Sequence, residues 1–128
     1  MKKNLLALLL CLITTSVFAD IVTLRTDETQ RYSKLDKSTS VFEVYQTITF
    51  FNDEFVNIET NKSDSKIKSF TGKYTFLRSE KVYDDVKGEG VLFYLKKNNF
   101  EYAMIVYEEY ITMAGSDDNN KYVYVFYF

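Results

Sequence analysis

The sequence predicts an all-β domain built as an antiparallel meander of seven to nine strands. Aromatic residues are abundant, with 11 Tyr and 11 Phe, and such side chains suit a pleated, half-buried surface. Apolar and polar residues alternate along much of the chain with the period of a strand. Short polar turns join the segments and no strong crossover helix appears. The sheet is therefore expected to close as a small barrel, lipocalin-like by analogy, or to fold as a sandwich.

The first 19 residues, 1–19, have the features of a secretory signal peptide. Two lysines follow Met1, residues 5–13 form an apolar run too short to remain as a membrane span, and residues 17–19 fit a small-x-small cleavage site. A retained anchor and lipidation at Cys11 are alternatives that fit the flanking residues less well. We expect one exported domain, residues 20–128, that is periplasmic or extracellular after cleavage.

The composition limits the chemistry that the exported domain can perform. Removal of 19 of the 128 residues leaves 109, which suffices for one core without disulfides. The single Cys leaves with the signal peptide and there is no His, which excludes Ser-His-Asp and Cys-His catalysis and the usual zinc sites. The remaining net charge is −4, from 14 basic and 18 acidic side chains, and argues against a nucleic-acid groove. The sequence predicts no cofactor, no metal and no enzymatic activity.

The strongest local pattern is a hairpin formed by residues 91–97 and 100–107. Asn98-Asn99 lies between the two apolar runs, and because Asn tolerates positive φ, a two-residue type I′ turn is predicted. This turn length fixes the register and sets Phe93 opposite Met104. Both faces of the hairpin are apolar, so the hairpin must lie inside a larger structure.

Further strands follow from alternation and turn chemistry. Residues 41–51 are predicted to pair with residues 55–60 across a three-residue turn, because that register keeps Ile48 opposite Ile58 on one apolar face. Gly72, among aromatic residues, is expected to make room for a neighbouring ring or to mark a bend. The other predicted strands are residues 20–24, 67–77, 82–86, 110–113 and 121–128, with a turn at 88–90.

Residues 26–40 form the one stretch in which a helix competes with other structures. Asp27 has the character of an N-cap, with Gln30 three residues later, and Tyr32 and Leu35 would share a helical face. We therefore allow a short N-terminal helix here, with an irregular segment as the equal alternative.

Two polar turns carry candidate sites. Residues 115–120 are rich in oxygen ligands but lack the acidic spacing of an EF-hand, so a polar loop is favoured over a weak calcium site. Asn61 begins an N-x-S acceptor with Glu59 two residues before it. This pattern makes Asn61 a candidate glycosylation site in a host that has the enzyme.

The C-terminal strand resembles the closing segment of outer-membrane β-barrel proteins, which end in Phe with alternating aromatic residues. The residues that carry the resemblance are Tyr122, Tyr124, Phe126 and Phe128. Val123 departs from the pattern, which prefers Gly there. The resemblance implies a small outer-membrane β-barrel, which we keep as the alternative. Against it, the opposite face of this strand is apolar, whereas the lumen of such a barrel is polar.

The surplus of aromatic residues gives the leading functional hypothesis. A domain of this size cannot bury all its large rings, so some are expected to line a cavity or a surface patch, unless they only fill a wide core. The candidate ligand or partner contacts are Tyr74, Phe76, Phe93, Tyr102, Met104 and Tyr124. We expect a non-enzymatic binding protein of the bacterial cell envelope. Its partner would be an apolar small molecule or another envelope protein, with nucleic acid excluded and the membrane disfavoured.

Overall fold

A computed structural model describes residues 21–52, 54–61 and 67–128 of the chain. The predicted signal peptide and most of the polar turn after Asn61 lie outside the described residues. Within them the protein is all-β, with ten strands, one short 3₁₀ turn and no α-helix. The predicted fold class is therefore confirmed, and the strand number exceeds the expected seven to nine.

All ten strands belong to one antiparallel sheet in the order β1-β4-β5-β6-β7-β8-β9-β10-β2-β3. The strands are β1 (Ile21–Thr26), β2 (Glu28–Ser33), β3 (Ser38–Phe42), β4 (Tyr45–Phe51), β5 (Phe55–Asn61), β6 (Gly72–Asp84), β7 (Gly88–Lys97), β8 (Phe100–Tyr107), β9 (Tyr110–Gly115) and β10 (Tyr122–Tyr127). The 3₁₀ turn, Ser116–Asp118, precedes β10. The end strands β1 and β3 do not pair with each other, so the ladder is not closed and the predicted barrel closure is not confirmed.

The hairpin of β7 and β8 has the predicted register. Lys96 lies opposite Glu101 and Phe93 lies opposite Met104. Asn98 has a φ of 57°, whereas Asn99 is not among the described residues with positive φ. A type I′ turn requires positive φ at both positions, so the predicted turn type is wrong although the turn length is right.

The pairing of β4 with β5 also follows the prediction. Ile48 lies opposite Ile58, and the connecting turn begins at Asn52, whose φ is 53°. The predicted strand 41–51 is however two strands, β3 and β4, separated by residues 43–44. The predicted first strand is confirmed as β1, and Val22 and Leu24 both point into the core.

The helix prediction for residues 26–40 is wrong. This stretch forms β2 and β3, joined by a turn in which Lys37 has a φ of 52°. β2 also pairs with β10, so that Gln30 lies opposite Val125. Pairing with β10 and β3 satisfies the backbone groups of β2, and this tertiary pairing overrides the weak local helix pattern.

β6 joins two predicted strands into one of 13 residues. Its register against β7 shifts between Phe76 and Arg78, which marks a β-bulge. The predicted turn at residues 88–90 is wrong, because those residues begin β7 and the turn lies at 85–87. Gly72 has a φ of 149°, and a Cβ there would stand 2.6 Å from Lys97 Cε. It therefore makes room for a lysine chain and not for the expected ring.

A buried polar network lies where the chain bends between β1 and β2 and between β3 and β4. Gln46 and Thr29 are both fully buried. The Thr60 hydroxyl donates to Gln46 Oε1 at 2.6 Å, and Gln46 Nε2 donates to the Thr29 hydroxyl at 3.3 Å. The Thr29 hydroxyl in turn donates to the Val44 carbonyl at 2.9 Å. The polar residue that interrupts the apolar pattern of this strand is thus satisfied inside the core.

One hydrophobic core lies on the inward side of the sheet. The Phe70 ring centroid lies 4.7 Å from that of Tyr124 and 5.3 Å from that of Phe126. The Phe50 and Phe93 centroids are 5.0 Å apart. Residues 67–71, which precede β6, also contribute to this packing, as the 1% exposure of the Phe70 side chain shows. The core is thus built in part from aromatic side chains that contact one another.

Candidate functional site

The six residues that the sequence predicted as ligand or partner contacts are brought together in the core. Five of them are at most 6% exposed, and Phe76 packs against the core at its margin. The Tyr74 and Tyr102 rings meet edge to face at 5.1 Å, and the Phe76 and Phe93 rings meet at 6.2 Å. These side chains contact each other, and their role in binding stays a prediction.

The buried tyrosines are hydrogen-bond donors. The Tyr74 hydroxyl donates to the Phe70 carbonyl at 2.7 Å, and the Tyr102 hydroxyl donates to Asp117 Oδ2 at 2.9 Å. Burial raises the pKa of the Tyr74 and Tyr102 hydroxyls well above the ordinary value, and burial raises that of Tyr124 to about 12. All three hydroxyls are therefore neutral at physiological pH, and the core carries no tyrosinate charge.

Asp117 joins the 3₁₀ turn to the segment before β6. Its carboxylate forms an ion pair with Lys68 and also accepts the hydrogen bond from Tyr102. Desolvation by burial opposes the charge, but the hydrogen bonds from Lys68 and Tyr102 outweigh it, and the pKa of Asp117 is lowered. The ionised form of Asp117 is thus the form that holds these two segments together.

In the 115–120 turn, Asp117 Oδ1 and both carboxylate oxygens of Asp118 are buried without a hydrogen-bond partner in the part of the chain that the structure describes. Within the described residues, no three acidic, His or Cys side chains cluster as metal ligands do. One carboxylate of the 115–120 loop, Asp117, is already engaged by Lys68. Asn61 is exposed at the end of β5, and the rest of its acceptor triplet lies outside the described residues. Calcium binding and glycosylation both stay predictions.

A surface that the sequence analysis did not identify lies on the outer side of β7–β10. We call it the apolar outer face, and its members are Leu92, Tyr94, Ala103, Ile105, Thr112, Ala114, Val123 and Val125. All eight are partly exposed, and six of them carry no polar side-chain group. One row crosses four strands, because Leu92 lies opposite Ile105, Ile105 opposite Thr112, and Thr112 opposite Val125. Ala103 belongs to the second row, between Tyr94 and Ala114.

At one end of the apolar outer face, which we call the acidic end, three tyrosines lie in a row across β8, β9 and β10. The Tyr110 ring lies 5.4 Å from both the Tyr107 and the Tyr127 ring. Glu28 lies opposite Tyr127 on the neighbouring strand. Burial raises the pKa of Tyr107 and Tyr110, and the negative charge of Asp84 raises both further. Two carboxylates therefore flank this row, and the Lys87 ammonium lies 5.6 Å from the Tyr107 ring centroid.

The basic end of the apolar outer face lies at the other ends of the same strands. Lys96 on β7 lies opposite Glu101 on β8. Lys121 is exposed just before β10, and the Lys34 amide donates to the Lys121 carbonyl at 3.0 Å. Lys34 and Lys37 are both exposed in the turn between β2 and β3. Four lysines thus lie at this end, together with two exposed carboxylates, those of Glu101 and Asp36.

The sequence contained a sign of this surface. Residues 91–107 are apolar on both faces, and this pattern was interpreted as evidence that the hairpin lies inside a larger structure. The structure buries only one of its faces. Alternation alone does not distinguish a doubly buried strand from one whose outer face is covered by a partner.

No helix among the described residues is long and apolar enough to cross a membrane. No protein-family model matches the sequence, and no curated protein or solved structure is significantly similar to it.

Proposed function

We propose that the protein is an exported, non-enzymatic binding module that holds another protein on its apolar outer face. The observation that carries the proposal is the two-row patch of partly exposed residues on β7–β10, six of whose eight side chains have no polar group. Contiguous apolar patches beyond a few hundred Å² are uncommon on monomeric proteins and mark interaction sites. A charged rim around an apolar centre is the usual organisation of a protein interface.

The packing of the core favours a surface over an interior site. A carrier of an apolar molecule needs an enclosed space, whereas the inward rings here contact each other, as Phe50 and Phe93 do at 5.0 Å. A small-molecule ligand would have to displace these contacts. We therefore propose the protein partner and not the interior ligand as the function.

We also propose that the sheet is rolled into a barrel-like shell around this core. β1 leads into β2 across Asp27 alone, and the Asp27 amide donates to the Tyr127 carbonyl at 2.7 Å. β1 pairs with β4 at one end of the ladder, and β2 pairs with β10 near the other end. The chain itself thus bridges the two ends, which supports a rolled sheet.

The outer-membrane alternative has less support. A membrane barrel has a polar interior and an apolar outer band around its whole circumference. The inward side chains here are mostly apolar, and the outward side chains of β4 include Thr47 and Thr49. The apolar outer face covers only part of the sheet, as a protein-binding surface would.

Site-specific photo-crosslinking in expressing cells tests the proposal. A photoreactive residue at position 105 should give adducts with a protein, whereas one at position 47, outward on β4, should give none. Mass spectrometry of the exported chain checks the expected first residue, Asp20. The absence of adducts from position 105 in folded, exported protein would contradict the proposed function, and so would equal adducts from both positions.

A further inference from the structure

The two ends of the apolar outer face carry charges of opposite sign. Glu28 and Asp84 flank the tyrosine row at one end, and Lys34, Lys96 and Lys121 lie at the other. A matching partner has an apolar centre, a basic end that meets the acidic end here, and an acidic end that meets the basic end. This protein has that same pattern when it is turned end for end.

We propose that the partner on the apolar outer face is a second copy of this chain, packed face to face with its strands antiparallel. The inference rests on the proposed function, because it concerns the same surface. The two-fold axis is parallel to the two sheets, perpendicular to the strands and midway between the two rows. It places the acidic end of each copy over the basic end of the other. Such an interface is self-complementary, as two-fold dimers require.

The side-chain sizes agree with this arrangement. The axis places Ile105 over Ala103 of the second copy, and Ala103 over Ile105 of the second copy, so that each large side chain meets a small one. Thr112 meets Ala114 of the second copy in the same way. Two sheets packed face to face lie about 10 Å apart and interdigitate their side chains. This alternation of large and small residues holds on β8 and β9, whereas on β7 and β10 the axis places Leu92 over Tyr94 and Val125 over Val123 of the second copy.

The charges select one orientation. The same axis places Glu28 over Lys34 of the second copy, and Tyr127 over Lys121 of the second copy, where a cation–π contact is favourable. An axis parallel to the strands would instead place Glu28 near the acidic end of the second copy. Like charges across an interface suppress that wrong pairing, because their juxtaposition is costly.

Analytical ultracentrifugation of the purified protein tests the proposal. The protein should be a dimer whose dissociation constant rises about tenfold in Lys34→Glu, because the substitution creates two like-charge contacts. The double variant Glu28→Lys/Lys34→Glu should return to within about threefold of the original value, since both pairs form again with reversed sign. Arg25→Glu, exposed on β1, is the matched control and should leave the dissociation constant unchanged. Circular dichroism checks that each variant is folded.

The outcomes separate this inference from the proposed function. A monomer whose position 105 crosslinks to a different protein would overturn the second copy and leave the proposed function in place. A monomer without crosslinks would overturn both. A dimer that Lys34→Glu does not weaken, or that the double variant does not restore, would overturn the antiparallel face-to-face arrangement.

Discussion

Two regions of the outward side of the sheet, β1, β4 and β5 on the one hand and β7–β10 on the other, cover the same core with different side chains. On β1, β4 and β5 the outward residues are mostly polar, and the Thr23 and Thr49 hydroxyls lie 3.3 Å apart. The exceptions are Phe51 and Phe55, whose rings stack at 4.5 Å beside the β4–β5 turn, and the exposed Ile21, which lies opposite Phe51. On β7–β10 the corresponding positions form the apolar outer face.

The difference shows which apolar residues the fold itself needs. An antiparallel sheet with one core requires apolar side chains on its inward side only. β4 follows this rule, since its outward residues include threonines. β10 carries more apolar side chains than the rule requires, because Val123 and Val125 point away from the core. The apolar side chains on the outward side of β7–β10 therefore exceed what folding around this core requires, and the proposed interaction would use them.

The largest expected effect compares the two sides of β10. Phe126→Ala should lower the free energy of unfolding by about 3–5 kcal/mol, because Phe126 is fully buried. Val125→Ala, one residue away on the outer side, should cost less than about 1 kcal/mol. Urea denaturation at low protein concentration measures both values. Equal losses would show that the outer face is covered within a single chain and would remove the contrast between the two sides.

The second effect concerns the polar network at the bend. Gln46→Leu should cost about 1–3 kcal/mol, because the partly buried Thr60 hydroxyl loses the acceptor that it contacts at 2.6 Å and the buried Thr29 hydroxyl loses a donor. Gln30→Leu, on the outer side of β2, is the matched control and should cost less. Urea denaturation of both variants gives the comparison. If Gln46→Leu is as stable as the original protein, the network does not hold the bend.

A third, smaller effect depends on pH. Because the pKa of folded Asp117 is below its ordinary value of 3.8, its charge contributes stability above that value, and the contribution is lost as the pH falls through the folded pKa. Asp117→Asn should therefore be less stable at pH 7, by about 1 kcal/mol or less. The deficit should shrink toward acidic pH. Denaturation between pH 7 and pH 2 measures it, with Glu59→Gln on β5 as the control. A deficit that is constant with pH would contradict a role for the charge.

The smallest effect exchanges hydroxyl for methyl on each outer side. Thr112→Val and Thr49→Val should each change the free energy of unfolding by no more than about 0.5 kcal/mol. Only Thr112→Val extends the apolar outer face, so only it should strengthen self-association in the ultracentrifuge. If Thr49→Val has the same effect on association, the two outer sides are equivalent.

Local patterns predicted the hairpins, and distant pairing explains the errors. The register of β7 and β8 follows from turn length and alternation within 17 residues, 91–107. The helix prediction failed because β2 obtains its ladder from β10, at the other end of the chain. No local pattern near Gln30 reports that partner.

The candidate surface was not predictable for a related reason. The apolar pattern of residues 91–107 was visible, but whether each face is inside or outside depends on the whole sheet. The aromatic residues chosen as contacts, such as Tyr74 and Phe93, alternate in the same way and proved to be buried. Sequence alternation assigns residues to two faces and does not say which of the two meets solvent.

The position of β10 between β2 and β9 has a consequence for the order of folding. Its six residues are synthesised after the other nine strands, and until they arrive the β2–β3 hairpin has no neighbour on one side. Contacts that join the two ends of a chain are slow to form, since a long loop must close first. A nascent chain that lacks these residues would leave two strand edges open, so completion of the sheet must wait until β10 has emerged.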